Sequence, residues 1–223
     1  MESTSIGEGI YQIPSLGYSN AYLFETAPKS YLLVDTGTSS GGSRILKYLE
    51  ITGRTPSMIS EIILTHTDSD HSGSAANLKK ASSAKLAVHE KDAPRISGQV
   101  KKIKETNGFG NVLMSLVGIF MKVERIQPDV ILKDGDSVGP LTVIFTPGHT
   151  DGSSSFLFKS TLFTGDTLFA GSVGGAYGDA STYEDILNSV KSKIFTLPDD
   201  TVLMPGHGPP SKVEWEKAHN PFF

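Results

Sequence analysis

The sequence predicts an α/β protein in which two β-sheets are flanked by helices, and three observations support this fold class. Short apolar runs separated by Gly, Ser, Asp and Pro are typical of strands, and they recur along the chain. Between them, longer stretches place apolar residues at helical spacing. Several apolar runs end in a loop that carries a histidine or an aspartate, which predicts polar side chains at strand ends.

Composition and charge narrow the class of protein. The chain has 223 residues, of which 38% are hydrophobic and 20% charged, and its formal net charge is -4. A chain of this kind can bury a core. It has no long block of lysine and arginine, so no nucleic-acid partner is expected. It has no cysteine, so histidines and carboxylates would have to hold any metal ion.

The sequence predicts neither a signal peptide nor a membrane-spanning helix. The N-terminal residues lack the basic region and apolar core of a signal peptide. The longest apolar stretch, residues 112–121, is shorter than the about 20 residues that a bilayer-spanning helix needs. We therefore expect a cytoplasmic protein without a membrane partner.

The first ninety residues predict strands followed by alternating helices and strands. Isoleucine, tyrosine, leucine and valine fill the apolar runs, as strands favour. Helical spacing over 41–51 is followed by Gly53, a typical helix stop, and a second helix is expected from Ser72 to about Ala81. The predicted strands are 9–13, 20–25, 30–35, 60–66 and 85–90.

The last hundred residues predict a second set of strands with one long helix. Lys159-Ser160 forms the tight turn of a hairpin over 155–166. Residues 182–195 form an amphipathic helix, because their apolar residues recur on one side. Further strands are predicted at 130–136, 140–150 and 199–208.

Residues 91–127 interrupt this pattern and predict a helical insertion, with two helices around Asn107-Gly108. We expect it to belong to a single domain that covers residues 1–223. Its apolar run, 109–120, fits a lid or pocket wall that contacts substrate, and equally a core or dimer helix. A homodimer is therefore one of the possible partners.

The stretch ILTHTDSDHSG, residues 63–73, places four metal-binding side chain types directly after an apolar strand. They are His66, Asp68, Asp70 and His71. Four ligands in one short loop do not comfortably surround a single ion with tetrahedral geometry. The crowding therefore predicts that two ions share them.

Other strands also end in a ligand-type residue. FTPGHT presents His149, LFTGDT presents Asp166, LMPGHG presents His207 and YLLVDTG presents Asp35. Strand ends are rigid supports, so several of them can bring their side chains into one cluster. Seven ligands suit two ions that lie about 3.5–4 Å apart and share a bridging carboxylate.

Each of these residues also has an ordinary structural interpretation. A single histidine at a strand end is more often structural, and an aspartate in a TGDT sequence can simply form a turn. His89 and His219 lack the strand-to-glycine-loop setting, and we expect them to be structural or surface residues. Seven ligand-type residues in that setting are much harder to explain in this way.

The set resembles the signature of the metallo-β-lactamase superfamily of binuclear metallohydrolases. That signature is an early Asp, the motif HxHxDH, and then a separated His, Asp and His. This chain presents Asp35, residues 66–71, His149, Asp166 and His207 in the same order. The resemblance covers nearly the whole chain and implies a four-layer αββα sandwich with the metals at one edge.

The resemblance also implies a role for each residue. Two divalent metal ions would be the cofactors, with zinc the first expectation. Behind the ligands, a further carboxylate would orient one of them or the 65–72 loop. One metal would be held by His66, Asp68 and His149, the other by Asp70, His71 and His207; Asp166 would bridge them, and Asp35 would be the carboxylate behind them.

Asp68 departs from the family pattern, because most members have histidine at this position. A carboxylate can still bind metal there, so no ligand is lost. It adds negative charge and a harder oxygen donor, which favours iron or manganese somewhat over zinc.

Within the superfamily, TPGHTDGS, LFTGDTLF and MPGHGPPS are similar to the glyoxalase II-like, or hydroxyacylglutathione hydrolase-like, branch. Glyoxalase II has a helical C-terminal domain that supplies its glutathione contacts. This chain continues only briefly after His207, so no glutathione-binding residue is transferred.

The implied function is hydrolysis of a small-molecule thioester, or of a related ester or lactone. A hydroxide bound by the metals would attack the carbonyl, and Asp70 would be the catalytic residue that orients it and passes its proton to the leaving group. Tyr177, in the glycine-rich loop after Asp166, is a candidate substrate contact.

The alternative is an iron-dependent redox enzyme of the same fold. Flavodiiron proteins have a carboxylate at the position of Asp68, but they also carry a flavodoxin domain, which nothing here resembles. Sulfur dioxygenases use one iron held by two histidines and one carboxylate, which His66, His149 and Asp166 could supply.

Overall fold

The fold is described here from a computed structural model, which describes residues 4–14, 16, 18–99, 124–178 and 180–223. Its first sheet has seven strands, in chain order across the sheet. Neighbouring strands are antiparallel up to the fourth strand and parallel from the fourth to the seventh. They are β1 (Thr4–Gly7), β2 (Ile10–Gln12), β3 (Tyr22–Ala27), β4 (Ser30–Val34), β5 (Ile59–Ile63), β6 (Lys85–His89) and β7 (Val130–Leu132).

The second sheet has six strands, and a two-stranded ribbon lies outside it. The six are β8 (Ser137–Val138), β9 (Leu141–Phe145), β10 (Ser154–Phe158), β11 (Thr161–Gly165), β14 (Val202–Pro205) and β15 (Ser211–Lys212). The ribbon consists of β12 (Leu168–Phe169) and β13 (Ser172–Val173). The order across the sheet is β15-β14-β11-β10-β9-β8, in which only β11 and β14 are parallel.

The helices flank the two sheets. α1 (Gly41–Ile51) and α3 (Ala75–Ser82) are regular, while α2 (Ser69–Ser72) and α4 (Ala93–Ile96) are single turns. In the second half, α5 (Tyr183–Ser189) begins with a capping box between Thr182 and Asp185 and continues as a π-helical turn, Val190–Ile194. The last helix is α6 (Val213–His219).

Three apolar clusters show that the sheets and helices form four layers. The first cluster joins the outer face of the first sheet to α1 and α3. The second lies between the two sheets, and the third joins the second sheet to α5 and α6. Along β4, Leu33 belongs to the first cluster while Leu32 and Val34 belong to the second, as alternation along a strand requires. The predicted αββα sandwich is therefore confirmed.

Several elements differ from their predictions for local reasons. The helix over 41–51 has its predicted bounds, but the helix expected after Ser72 is interrupted at Gly73, whose backbone packs against Ser39 and Ser69. The two-residue strands and α6 were not predicted, because they are too short to show a period. The two-residue strands are β8, β12, β13 and β15.

The predicted insertion is only partly within the described residues. Of its 91–127 range, α4 is described as a single helical turn. The apolar run 109–120 and Asn107-Gly108 lie outside the described residues. Within the described ranges, no helix combines the length and apolar character needed to cross a bilayer.

Replacing Phe156 by alanine is expected to destabilise the protein by about 3–5 kcal/mol, because the ring is fully buried between the sheets and its removal leaves a cavity. Urea unfolding of the two proteins measures this difference. Ile131→Ala is the control, because Ile131 is 47% exposed and should change the free energy of unfolding by no more than about 0.5 kcal/mol. Equal effects would contradict the assigned core.

Candidate metal centre

The polar residues at the strand ends lie together at one edge of the sandwich. Two of the parallel pairs, β4–β5 in the first sheet and β11–β14 in the second, end at this edge. Ligands in α/β sheets are commonly bound at the carboxyl ends of parallel strands. Asp35 follows β4, His66 follows β5, His149 follows β9, Asp166 follows β11 and His207 follows β14.

Backbone hydrogen bonds hold the strand ends of the two sheets together at this edge. Ser154 N donates to Thr65 O at 2.8 Å, and Asn20 N donates to Gly206 O at 2.7 Å. Gly206 N in turn donates to Gly165 O at 2.8 Å. These bonds fix the loops that carry the site residues relative to one another.

Seven of the side chains converge into one cluster. Its ligand atoms form three groups, and within each group they lie within 4.8 Å of one another. His66 and His71 each belong to two of the groups, so the groups are continuous. They are His66, His71 and Asp166; His66, Asp68 and His149; and Asp70, His71 and His207.

Asp166 occupies the middle of this cluster. Its Oδ1 lies 3.2 Å from His71 Nε2. Its Oδ2 lies 3.3 Å from His207 Nε2 and 3.6 Å from His149 Nε2. A side chain at Gly206 would overlap both Asp166 and His71, so glycine allows the chain after β14 to approach this closely.

Asp35 controls the orientation of two histidines. Its Oδ2 lies 2.8 Å from His71 Nδ1, so this nitrogen carries a proton and the opposite nitrogen, Nε2, faces the cluster. The same oxygen accepts the Thr65 hydroxyl, and Thr65 Oγ1 lies 3.0 Å from His66 Nδ1. Because that hydroxyl already donates to Asp35, it accepts from His66 Nδ1. His66 Nε2 is therefore left as a lone pair.

The other two histidines are oriented by backbone carbonyls. His149 Nδ1 lies 2.7 Å from Gly175 O, and His207 Nδ1 lies 2.7 Å from Tyr18 O. Carbonyl oxygens only accept, so both rings donate from Nδ1 and turn Nε2 toward the carboxylates. This is the arrangement in which a histidine binds a metal through Nε2.

The donor atoms fit metal ions better than they fit one another. His66 Nε2 is buried and has no hydrogen-bond partner, although buried polar atoms are normally paired. Three carboxylates, from Asp68, Asp70 and Asp166, point into the same space as the four histidines. Nitrogen and oxygen donors of this kind suit zinc, iron or manganese.

Burial, charge and hydrogen bonds together lower the pKa of one histidine of the cluster and raise that of another. Burial, together with the charges of His71 and His149, lowers the pKa of His66 to about 3. Burial also lowers the pKa of His207, but its hydrogen bonds to Asp166 and Asp70 outweigh this and raise the pKa to about 10. The carboxylates therefore make the cluster attract positive charge.

The carboxylates stay ionised despite their burial. Burial raises the pKa of Asp166, but the charge of His71 and the hydrogen bond from His207 hold it well below its usual range. The pKa of Asp68 is also lowered, because hydrogen bonding and charge from His149 outweigh desolvation. Both groups are thus available as anionic ligands.

Asp92 is a structural residue of the site that the sequence interpretation missed. It is fully buried and accepts four hydrogen bonds, two from Thr67, one from the Thr150 hydroxyl and one from Gly152 N. It thereby joins the 66–71 loop to the loop that carries His149. The Asp-Ala-Pro sequence at this point is a helix-start signal that could have marked it.

Arg95 was also missed, and it contacts one of the predicted ligands. Its Nη2 lies 2.9 Å from Asp68 Oδ1, while Asp68 Oδ2 lies 3.2 Å from His149 Nε2. His89 and His219 lie outside the cluster. His89 stacks on Phe145, and His219 stacks on Trp215.

Three aromatic rings lie beside the cluster. Tyr18 and Phe169 both contact the His207 ring, with ring centroids 4.9 and 5.8 Å away. Tyr177, the candidate substrate contact, lies 5.3 Å from the His149 ring. Tyr18 is 72% exposed and Tyr177 is 48% exposed, so both rings are accessible beside the site.

Comparison with known proteins agrees with this fold and site. A family model described as the metallo-β-lactamase superfamily matches residues 14–207. The chain therefore belongs to the metallo-β-lactamase superfamily, and the predicted membership is confirmed. At the level of the superfamily, this makes it a binuclear metallohydrolase.

Individual relatives and structures support the same assignment. The probable metallo-hydrolase YqgX of Bacillus subtilis is 30% identical over 212 residues, covering 92% of both chains. The hydroxyacylglutathione hydrolase GloC of Haemophilus influenzae is 29% identical over 164 residues, covering 72% of this chain and 74% of that one. The structure of TTHA1623 in a di-iron-bound form superposes with a TM-score of 0.73 at 26% identity, covering 100% of both chains.

Replacing Asp35 by asparagine is expected to weaken metal binding by about 10- to 100-fold, which is typical for loss of a group that orients a ligand. Asparagine can donate to His71 Nδ1 and so favour the tautomer with its proton on Nε2. Competition with a chromophoric chelator measures the affinity. Asp200→Asn is the control, because Asp200 is exposed and precedes β14 at the end opposite His207. Unchanged affinity in Asp35→Asn would contradict the role given to Asp35.

Proposed function

We propose that this protein hydrolyses a small-molecule thioester, or a related ester or lactone, with a water activated by two divalent metal ions. The observation that carries the proposal is the sharing of ligands between neighbouring groups. His66 and His71 each belong to two groups, and Asp166 lies between the histidines of both. A site for one ion would not need this continuity.

The geometry of the cluster supports the proposed assignment of ligands. His66, Asp68 and His149 form the first metal site, and Asp70, His71 and His207 form the second. Asp166 would be shared by the two ions, because it contacts His149 with one oxygen and His71 with the other. Bound divalent ions lower the pKa of a coordinated water, which supplies hydroxide near neutral pH.

Asp70 is suited to handle the proton of that water. Its Oδ2 lies 3.3 Å from His207 Nε2 and 3.8 Å from His71 Nε2. The side chain is 16% exposed, more than Asp166 at 9%, so it is more accessible to solvent than Asp166. Its backbone is held by the Ser19 hydroxyl, which donates to Asp70 O. Asp70 can orient the nucleophile and then pass a proton to the leaving group.

The aromatic rings around the cluster support a substrate with an apolar part. Tyr18 and Tyr177 lie in two separate loops and Phe169 lies in β12, and each contacts a histidine of the site. Apolar and aromatic walls with a few converging polar groups are typical of small-molecule sites. The acyl portion of a thioester or the ring of a lactone fits such walls. A cytoplasmic location without a nucleic-acid or membrane partner belongs to the same proposal.

Zinc is the metal proposed first, and Asp68 is the reason to test iron and manganese beside it. A carboxylate is a harder donor than the imidazole that most of the family has there. TTHA1623, which shares the fold, has a di-iron-bound form. These two observations also support the second candidate, an iron-dependent redox enzyme, in which His66, His149 and Asp166 would hold the reactive iron.

The decisive experiment combines metal analysis with a substrate panel. Protein purified without added metal or chelator is expected to carry about two divalent ions per chain and to hydrolyse thioesters or lactones. Asp70→Asn should lower kcat by roughly 10²- to 10⁴-fold, the usual contribution of a positioned acid–base group. Asp200→Asn is the matched control and should retain activity. Iron content with oxygen uptake on a persulfide, and no hydrolysis, would instead support the redox enzyme.

A second prediction addresses the aromatic rings. Phe169→Ala and Tyr177→Ala should each raise KM for a long-chain acyl thioester by about tenfold, which corresponds to a lost apolar contact of about 1.4 kcal/mol. The KM for an acetyl thioester should change less, because a short acyl group buries less apolar surface against the rings. Tyr183→Ala is the control, since Tyr183 is an exposed tyrosine that contacts Phe222 instead of the site histidines. Equal changes for both substrates would exclude an acyl-binding role.

A further inference from the structure

The ion pair between Arg95 and Asp68 divides the two oxygens of Asp68 between different partners. Arg95 Nη2 lies 2.9 Å from Oδ1, and His149 Nε2 lies 3.2 Å from Oδ2. One oxygen is therefore held by the guanidinium, and the other faces the metal cluster. The two side chains are only 19% and 20% exposed, so water screens this pair less than it screens a surface ion pair.

The position of Arg95 is built into the fold. Asp92 O accepts a hydrogen bond from Arg95 N at 3.0 Å, and this bond forms the first turn of α4. The Asp92 carboxylate, in turn, accepts hydrogen bonds from Thr67 and Gly152 on both sides of the site. A side chain at Gly152 would overlap Asp92, so these segments are in close contact. Arg95 is therefore fixed relative to the loop that carries Asp68.

The charges of Asp68 and Arg95 explain why the two residues are paired. An aspartate at position 68 adds one negative charge relative to the histidine that most of the family has there. Arg95 supplies one positive charge next to it. A carboxylate without this partner could rotate or offer both oxygens to one ion. With Oδ1 held by Arg95, Asp68 offers one oxygen, as a histidine offers one nitrogen.

We propose that Arg95 is a positioning residue of the metal site, and that Asp68 and Arg95 together replace the neutral histidine of the family pattern. Arg95 holds Asp68 as a one-oxygen ligand and offsets its added charge. The proposal rests on the proposed metal site. It concerns how that site is built, and it holds for either a hydrolase or a redox enzyme.

The sign of the effect of Arg95 on metal binding tests this role. By charge alone, an arginine repels a nearby cation, so its removal would strengthen metal binding whatever residue stands at position 68. By orienting Asp68, it aids metal binding, so its removal would weaken it. Loss of an orienting group typically costs about 10- to 100-fold in metal affinity.

The experiment is a double-mutant cycle read by metal affinity. Four proteins are compared: the natural chain, Arg95→Gln, Asp68→His, and the double variant. Cobalt(II) and zinc(II) dissociation constants come from chelator competition, and the cobalt(II) absorption spectrum reports coordination. Arg95→Gln is expected to weaken metal binding by about tenfold when residue 68 is aspartate. It is expected to strengthen binding when residue 68 is histidine, because the guanidinium then has no carboxylate partner.

The controls separate this proposal from the proposed function. Lys91→Gln removes an exposed positive charge from the same segment and should leave metal affinity unchanged. Thermal unfolding of the metal-free variants checks folding, and Asp68→Asn takes the place of Asp68→His if that variant does not fold. An effect of Arg95→Gln with the same sign in both backgrounds would overturn the role of Arg95 alone. A natural chain that binds no metal would overturn the proposed function as well.

Discussion

The metal centre depends on the hydrogen bonds that the buried carboxylate of Asp35 makes with Thr65 and His71. Asp35 follows directly after β4, and its backbone adopts a left-handed conformation, with φ of 61°, that is uncommon for residues other than glycine. Thr65 N and the Thr65 hydroxyl both donate to it, each at 2.8 Å. Asp35 thus sets the tautomer of His71 directly and that of His66 through Thr65. Strain of this kind is typical of functional sites, where the surrounding contacts maintain it.

A second buried carboxylate, that of Asp92, holds the opposite side of the ligand loop in place. Asp92 accepts hydrogen bonds from Thr67 and from the loop after His149. Burial raises the pKa of Asp92, and its hydrogen bonds and the charge of Arg95 oppose that rise. The ligand loop thus lies between two carboxylates, Asp35 and Asp92, neither of which belongs to the cluster of donor atoms. Rigid support of this kind holds ligands in a productive geometry.

The long elements of the fold could be predicted from sequence, and the short ones could not. The helix over 41–51 carries a strong apolar period and a glycine stop, and it has its predicted bounds. The β12–β13 ribbon has two residues in each strand, which is too few to show alternation. It nevertheless carries Phe169 to His207 and leads to Gly175, whose carbonyl orients His149. Its position depends on the buried Glu216 of α6, which accepts from Gly171 N.

The seven candidate ligands were predictable because each stands shortly after an apolar strand, in a segment rich in glycine, serine or aspartate. That setting is a property of neighbouring residues, so the sequence alone determines it. Arg95 has no such local mark, and the helix-start signal at Asp92 indicates a turn without indicating a role in the site. Their roles depend on Asp68, Thr150 and Gly152, which are distant in the chain and which only the packing of the two sheets brings near. The sequence by itself therefore determined the fold class and the donor types. The tertiary structure decided which nitrogen of each histidine faces the cluster and which oxygen of Asp68 remains for a metal.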